Sequence, residues 1–131
     1  MTLVLDTSIL INLERGSEAT IRQLRKLAEA YPLPARITFI SEFEFLMGIQ
    51  EREPKNKDKA LAFLRHFSIL QTRNGTADLL AGLKFRYDKK GIAISLADFI
   101  IAALTIQNNM TLVTKDKDFQ KIEELKKIIL E

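Results

Sequence analysis

The sequence predicts an α/β fold with a mostly parallel sheet of four or five strands, and three observations support this. Short apolar or β-branched runs alternate with longer segments that are apolar at helical spacing. The chain has 131 residues, of which 47% are hydrophobic and 28% charged, a balance typical of a folded chain. No repeat, low-complexity segment or linker divides it, so we expect a single domain spanning residues 1–131.

The first half of the chain is expected to contain two strands and four helices. Residues 2–5 are apolar up to Asp6, as in a buried strand, and residues 36–40 are β-branched and aromatic. Gly16 and Pro54 separate segments with helical periodicity, and Ser41 is the expected N-cap of the helix after the second strand. The predicted elements are strands at 2–5 and 36–40, and helices at 8–13, 17–30, 41–50 and 57–67.

The second half is expected to contain three strands and three helices. Asn74 opens a helix that Gly91 closes, and Ser95 caps the most apolar helix, which ends before Asn108. Residues 119–126 have the pattern of a short helix. The predicted strands are 68–71, 111–114 and 127–130, and the helix after Ser95 is 96–107.

Acidic residues recur where predicted strands end or helices begin. Asp6 ends the first strand, and Asp116 ends a later strand, with Asp118 two residues on. Glu44 and Asp98 lie in the first turns of two predicted helices. Because ligands bind outside the carboxyl ends of strands in parallel α/β sheets, these side chains are expected to meet at one edge of the sheet.

Each acid also has a purely structural explanation. Ser41-x-x-Glu44 and Ser95-x-x-Asp98 both fit a capping box, Asp6 suits a helix cap, and Asp116 with Asp118 suits a turn. Four carboxylates gathered at one place would nevertheless repel each other, and a divalent cation such as Mg²⁺ or Mn²⁺ would remove that repulsion. The chain has no Cys and one His, which excludes thiol nucleophiles, cysteine zinc sites and His-rich metal sites.

Four segments together resemble the PIN-domain family, and within it the VapC-type toxins of toxin–antitoxin pairs. They are Leu3-Val-Leu-Asp6-Thr-Ser8, Ser41-Glu-Phe-Glu44-Phe-Leu-Met-Gly48, Ile94-Ser-Leu-Ala-Asp98-Phe-Ile-Ile-Ala-Ala103 and Leu112-Val-Thr114-Lys-Asp116-Lys-Asp118-Phe119. They occur in the family's order and span nearly the whole chain. The resemblance implies a three-layer α/β/α fold.

The resemblance also implies a Mg²⁺- or Mn²⁺-dependent endoribonuclease that leaves a 5′-phosphate and a 3′-hydroxyl. In the family pattern the acidic quartet corresponds to Asp6, Glu44, Asp98 and Asp116, while Ser8 and Thr114 match its supporting polar residues. RNA as substrate, a homodimer and a VapB-like antitoxin as partner follow from the same resemblance. Helices 17–30 and 41–50 are candidates for the dimer surface.

Two assignments within the quartet have alternatives. Glu42 and Glu44 both lie near the family position and point roughly 200° apart on a helix, so at most one faces a metal. The family spacing Glu-x-x-x-Gly, with Gly48, favours Glu44. Asp118 is an alternative or an addition to Asp116.

The net charge of +3 is distributed unevenly. Residues 51–92 carry ten basic and five acidic side chains, so this third holds the basic excess and is expected to contact the RNA backbone, unless it is only a solvated helix face. The longest apolar run is Phe99 to Leu104 and Asp6 interrupts the first apolar stretch, so neither a membrane span nor a signal peptide is expected, and the protein is expected to be cytoplasmic.

Two other function classes are also compatible with the sequence. One is a PIN-like module that binds RNA or a protein without cutting. The other is a phosphatase with Asp6 as nucleophile, although Ser8 stands where haloacid-dehalogenase-like enzymes have a second Asp.

Overall fold

The computed structural model describes residues 1–131 and contains a five-stranded, fully parallel sheet. The strands are β1 (Leu3–Leu5), β2 (Arg36–Thr38), β3 (Ser68–Leu70), β4 (Thr111–Thr114) and β5 (Lys127–Ile129). The helices are α1 (Thr7–Glu14), α2 (Glu18–Leu27), α3 (Phe39–Gly48), α4 (Pro54–Leu64), α5 (Thr76–Lys89) and α6 (Leu96–Gln107), with a 3₁₀ helix at Lys117–Lys121. The predicted α/β class and parallel sheet are confirmed.

The strand order is β3-β2-β1-β4-β5, which places β1 at the centre. The chain leaves β1 toward β2 and β3 on one side and then crosses to β4 on the other side. The order therefore reverses between β1 and β4, and Leu5 pairs with Val113 near their carboxyl ends. Such a reversal opens a crevice at the sheet edge where parallel α/β proteins bind ligands.

Two apolar cores cover the two faces of the sheet, which makes a three-layer α/β/α arrangement. Adjacent residues of β1 point to opposite faces, so Val4 packs in one core while Leu3 and Leu5 pack in the other. The first core is formed mainly with α5 and α6, and the second mainly with α1, α3 and α4. Both faces are buried, which explains why the strands are continuous apolar runs in the sequence.

The helix after β2 begins earlier than predicted. Thr38, not Ser41, is the N-cap of α3, because its side chain accepts a hydrogen bond from the Ser41 backbone N–H at 3.2 Å. The predicted strand at 36–40 consequently ends at Thr38. Ser41 lies inside the helix, so the Ser41-x-x-Glu44 capping box was a wrong prediction.

Two other predicted helices also differ from the structure. Pro54 begins α4 instead of preceding it, because a proline at the first helical position loses no hydrogen bond. Residues 119–126 do not form an α-helix: the turn after Asp116 is 3₁₀, and Ile122 is extended. Phe119 lies in the 3₁₀ helix and Ile122 and Leu125 follow it, and all three are buried in the core formed with α5 and α6.

The bounds of α6 and β4 agree with the prediction. Ser95 caps α6 by accepting the Asp98 backbone N–H at 3.1 Å, and Asn108 and Asn109 end the helix. Asn109 has φ 53°, a left-handed conformation that asparagine tolerates better than most residues. No helix in the chain combines the length and the apolar character needed to cross a bilayer.

Candidate active site at the β1–β4 crevice

Asp6 is the most buried of the acids at this crevice. It follows β1, caps α1 and is 5% exposed. Its Oδ1 accepts the Thr7 backbone N–H at 2.7 Å, while its Oδ2 accepts the hydroxyls of Thr114 at 2.6 Å and Ser8 at 3.2 Å. Because Oδ2 already accepts two donors, Oδ1 is the oxygen that retains an unused lone pair.

Burial raises the pKa of Asp6 above its ordinary value. The hydrogen bonds from Thr114, Thr7 and Ser8 act in the opposite direction, and the charge of Glu44 adds to the rise. The Asp6 carboxylate is thus held by the hydrogen-bond donors of Thr7, Ser8 and Thr114. It forms no ion pair with a basic side chain.

Glu44 reaches the same crevice from α3. Its Oε1 accepts the Thr7 hydroxyl at 2.5 Å, which places it beside the residue that follows Asp6. Glu42 points elsewhere: it lines a cavity of about 300 Å³ with Leu61, Leu64 and Arg65, between α3 and α4. The structure therefore brings Glu44, and not Glu42, to the carboxyl end of β1.

Asp116 is joined to Asp6 through Thr114. The Thr114 hydroxyl, which donates to Asp6, also accepts the Asp116 backbone N–H at 2.9 Å. Asp116 then accepts the Asp118 backbone N–H at 2.9 Å, so the predicted turn is present. Both Asp116 and Asp118 are exposed, but Asp118 lies 3.1 Å from the Lys121 ammonium. Asp116 is the one of the two whose charge acts on Asp98.

Asp98 lies in the first turn of α6 and is close enough to the other three acids to be affected by their charges. Its pKa is raised to about 6, first by burial and then by the charges of Asp6, Asp116 and Glu44. The Ser95 side chain accepts the Asp98 backbone N–H as the cap of α6. Its hydrogen bond with the Asp98 carboxyl lowers the pKa in part. The crevice therefore collects four carboxylates from four separate segments of the chain.

The donor set fits a hard divalent cation by charge and by chemistry. None of the four acids forms an ion pair, and the ligand atoms available are carboxylate and hydroxyl oxygens. No three of the acids already surround one point at ligand distance. Mg²⁺ commonly keeps several water ligands, so one or two direct carboxylate contacts suffice for binding.

The PIN-domain family model matches residues 3–125, nearly the whole chain. The chain belongs to the PIN-domain family. Its relatives include Ribonuclease VapC1 of Rickettsia felis and Ribonuclease VapC of Rickettsia bellii, each 34% identical over 131 residues, covering 95% of this chain and 93% of the relative. The family resemblance inferred from the four motifs is thereby confirmed.

The crystal structure of VapBC2 from Rickettsia felis bound to a promoter DNA fragment has the same fold. It superposes on this PIN domain with a TM-score of 0.86 and 24% sequence identity, covering 100% of both chains. The three-layer architecture predicted from the resemblance is confirmed by this similarity.

Sequence reasoning missed Thr7, which contacts Asp6 and Glu44, and Ser41, which contacts Thr7. Thr7 follows Asp6 directly, but its partner Glu44 is 37 positions away in the chain, so no local pattern indicates the contact. Ser41, which contacts Thr7, was interpreted as a helix cap. A signal was available, because a hydroxyl residue at the first position of α1 lies at the carboxyl end of β1 in any parallel sheet.

Proposed function

We propose that this PIN domain is a divalent-cation-dependent endoribonuclease and the toxin of a toxin–antitoxin pair. The observation that carries the proposal is the charge of the β1–β4 crevice, where four carboxylates meet with no basic partner. The names of the Rickettsia relatives, at 34% identity, support RNA as the substrate.

We assign each residue of the crevice a separate role in RNA hydrolysis. Asp6, Asp98 and Asp116 would hold a Mg²⁺ or Mn²⁺ ion, directly or through water, and Ser8 and Thr114 fix the Asp6 carboxylate. The ion, when bound, supplies charge neutralisation at the scissile phosphate and activation of water. Glu44, whose Oε2 accepts no protein hydrogen bond, would contact the ion or orient the attacking water. Hydrolysis leaves a 5′-phosphate and a 3′-hydroxyl.

Two exposed basic side chains, Lys89 and Lys90, lie at the end of α5. The Tyr87 ring is 5.9 Å from the Phe99 ring, which places the last turn of α5 beside the first turn of α6 and Asp98. Lys89 and Lys90 in this turn are exposed and pair with no acid. They are therefore suited to contact the RNA backbone next to the scissile bond.

The proposed protein partners are a VapB-like antitoxin and a second copy of this chain. Toxin–antitoxin complexes such as VapBC2 share the fold, which supports the antitoxin. Phe43 and Met47 on α3 are 58% and 60% exposed, and they are one helical turn apart, which supports a dimer surface on α3.

Cleavage of a mixed pool of structured RNAs in the presence of Mn²⁺ tests the proposed activity. The unmodified protein and Asp118→Asn should both cut and leave 5′-phosphate ends. Asp98→Asn and Asp116→Asn should lose activity by about a hundredfold or more. If no RNA in the pool is cut, or if Asp98→Asn cuts as fast as the unmodified protein, the nuclease proposal fails and a non-catalytic binding module becomes the better explanation.

A further inference from the structure

Thr7 forms hydrogen bonds with two of the four crevice acids at once. Its backbone N–H donates to Asp6 Oδ1 at 2.7 Å, and its side-chain hydroxyl donates to Glu44 Oε1 at 2.5 Å. Asp6 and Glu44 have like charge, so their proximity is unfavourable unless something holds them. Thr7 is the residue that joins them.

The direction of each hydrogen bond in this group follows from counting protons. A threonine hydroxyl has one proton, and an ionised carboxylate only accepts, so the proton of Thr7 goes to Glu44. The 3.0 Å contact between the Thr7 and Ser41 hydroxyls must then run from Ser41 to Thr7. The result is a series of hydrogen bonds in which Ser41 donates to Thr7 and Thr7 donates to Glu44.

Ser41, the first donor in this series of hydrogen bonds, is held in place by the helix. It is fully buried in α3, and its backbone N–H is bonded to the Thr38 cap. A buried hydroxyl without an acceptor is costly, so Ser41 is expected to keep its bond to Thr7. The Thr7 side chain is consequently held with its proton aimed at Glu44.

Glu44 by contrast has little else to restrain it. Its carboxylate lies at the end of a long, flexible side chain, is only partly buried, and accepts no hydrogen bond except that from Thr7. Without that bond, repulsion from Asp6 and Asp98 would favour rotamers that point away from the crevice.

We propose that Thr7, oriented by Ser41, is a positioning residue that holds the Glu44 carboxylate beside Asp6. This inference rests on the proposed function, because it concerns how the same acidic site is kept assembled. In this role Thr7 acts through Glu44 and is not itself a catalytic residue.

A purely structural role for Thr7, as a link between α1 and α3, makes a different prediction. Thr76 offers a matched comparison, because its hydroxyl donates to Gln107 Oε1 at 2.6 Å and so links α5 to α6. Thr76 is 4% exposed and touches none of the four acids. A loss of stability alone should therefore affect Thr7→Val and Thr76→Val alike.

The test compares Thr7→Val, Thr7→Ser and Thr76→Val in the full chain. Valine keeps the shape and the backbone N–H of residue 7 but removes the hydroxyl. For Thr7→Val, we expect kcat for RNA cleavage with Mn²⁺ to fall about tenfold to a hundredfold while KM stays within about twofold. Thr7→Ser should restore kcat, and Thr76→Val should keep it despite a lower urea midpoint.

A second measurement does not depend on activity. The ¹³C resonance of the Glu44 carboxyl carbon, assigned by comparison with Glu44→Gln, should move in Thr7→Val and stay in place in Thr76→Val. An unchanged resonance, or equal loss of kcat in Thr7→Val and Thr76→Val, would overturn the positioning role. If the unmodified protein cuts no RNA, the proposed function fails, and the resonance alone still decides whether Thr7 holds Glu44.

Discussion

The Thr114 hydroxyl, at the end of β4, donates a 2.6 Å hydrogen bond to Asp6, at the end of β1 and 108 positions away in the chain. The same hydroxyl accepts the backbone N–H of Asp116. One fully buried side chain thus bridges the neighbouring strands β1 and β4 and fixes two of the four acids relative to each other. The crevice depends on this tertiary contact as much as on the acids themselves.

Thr114→Val should destabilise the protein by about 1–3 kcal/mol, because the buried Asp6 carboxylate and the Asp116 backbone N–H each lose a partner. Urea unfolding at pH 7 measures the change. Thr111→Val is the control, since Thr111 lies on the same strand, is 4% exposed and makes no side-chain hydrogen bond. Equal destabilisation by both variants would contradict a special role for the Thr114 hydroxyl.

Asp98→Asn should stabilise the metal-free protein, and the gain should depend on pH. The pKa of Asp98 is raised from 3.8 to about 6 in the folded state. Between pH 3.8 and about 6 the folded protein therefore binds more protons at this residue than the unfolded protein does. The contribution of Asp98 to stability is therefore fully present below pH 3.8 and is lost as the pH rises to about 6. Solvent screening reduces the expected difference at pH 7 to on the order of 1–2 kcal/mol.

Urea unfolding of the unmodified protein and Asp98→Asn in EDTA, between pH 4 and pH 7, tests this dependence. The two stabilities should lie close together at pH 4 and separate as the pH rises. Calorimetry at pH 7 should show that Asp98→Asn also binds Mn²⁺ at least about tenfold more weakly. Parallel stability curves and unchanged Mn²⁺ affinity would show that Asp98 acts only in the helix cap.

Glu44→Gln and Glu42→Gln form a matched pair on α3 that separates the two glutamates. Gln retains the size of the side chain but removes its charge. We expect Glu44→Gln to lower kcat by about a hundredfold and Glu42→Gln to leave it near the original value, because only Glu44 reaches the crevice. The opposite ranking in an RNA-cleavage assay would assign the role to Glu42.

Charge reversal at Lys89 and Lys90 should weaken RNA binding without removing the chemistry. The Lys89→Glu and Lys90→Glu double variant is expected to raise KM, and to make the logarithm of RNA affinity depend less steeply on the logarithm of salt concentration, because fewer counterions are released. A double variant at Lys55 and Lys59 on α4 is the control, since these exposed residues lie on a helix that packs in the other core. Equal effects of both variants would show that only the total charge matters.

Much of this architecture was predictable because it depends on local patterns. Apolar runs and helical periodicity identified the strands and most helices, and α6 and β4 were placed at their observed bounds. The acids were predictable at the carboxyl ends of strands because parallel topology brings those ends to one edge. Predicted boundaries were wrong where the helix cap was an unexpected side chain, as with Thr38, and where the chain forms a short 3₁₀ helix instead of an α-helix, as after Asp116.

The sequence by itself determined that strands and helices alternate, that both faces of the sheet are buried, and that acids follow the strands. Only the tertiary structure decided the strand order, the bond from Thr114 to Asp6, the choice of Glu44 over Glu42 and the chain from Ser41 through Thr7 to Glu44. The physical reason is the distance along the chain over which each kind of interaction acts. Periodicity and capping act within a few residues, whereas these contacts join segments that meet only once the sheet has assembled, and no local pattern encodes which hydroxyl will face which carboxylate.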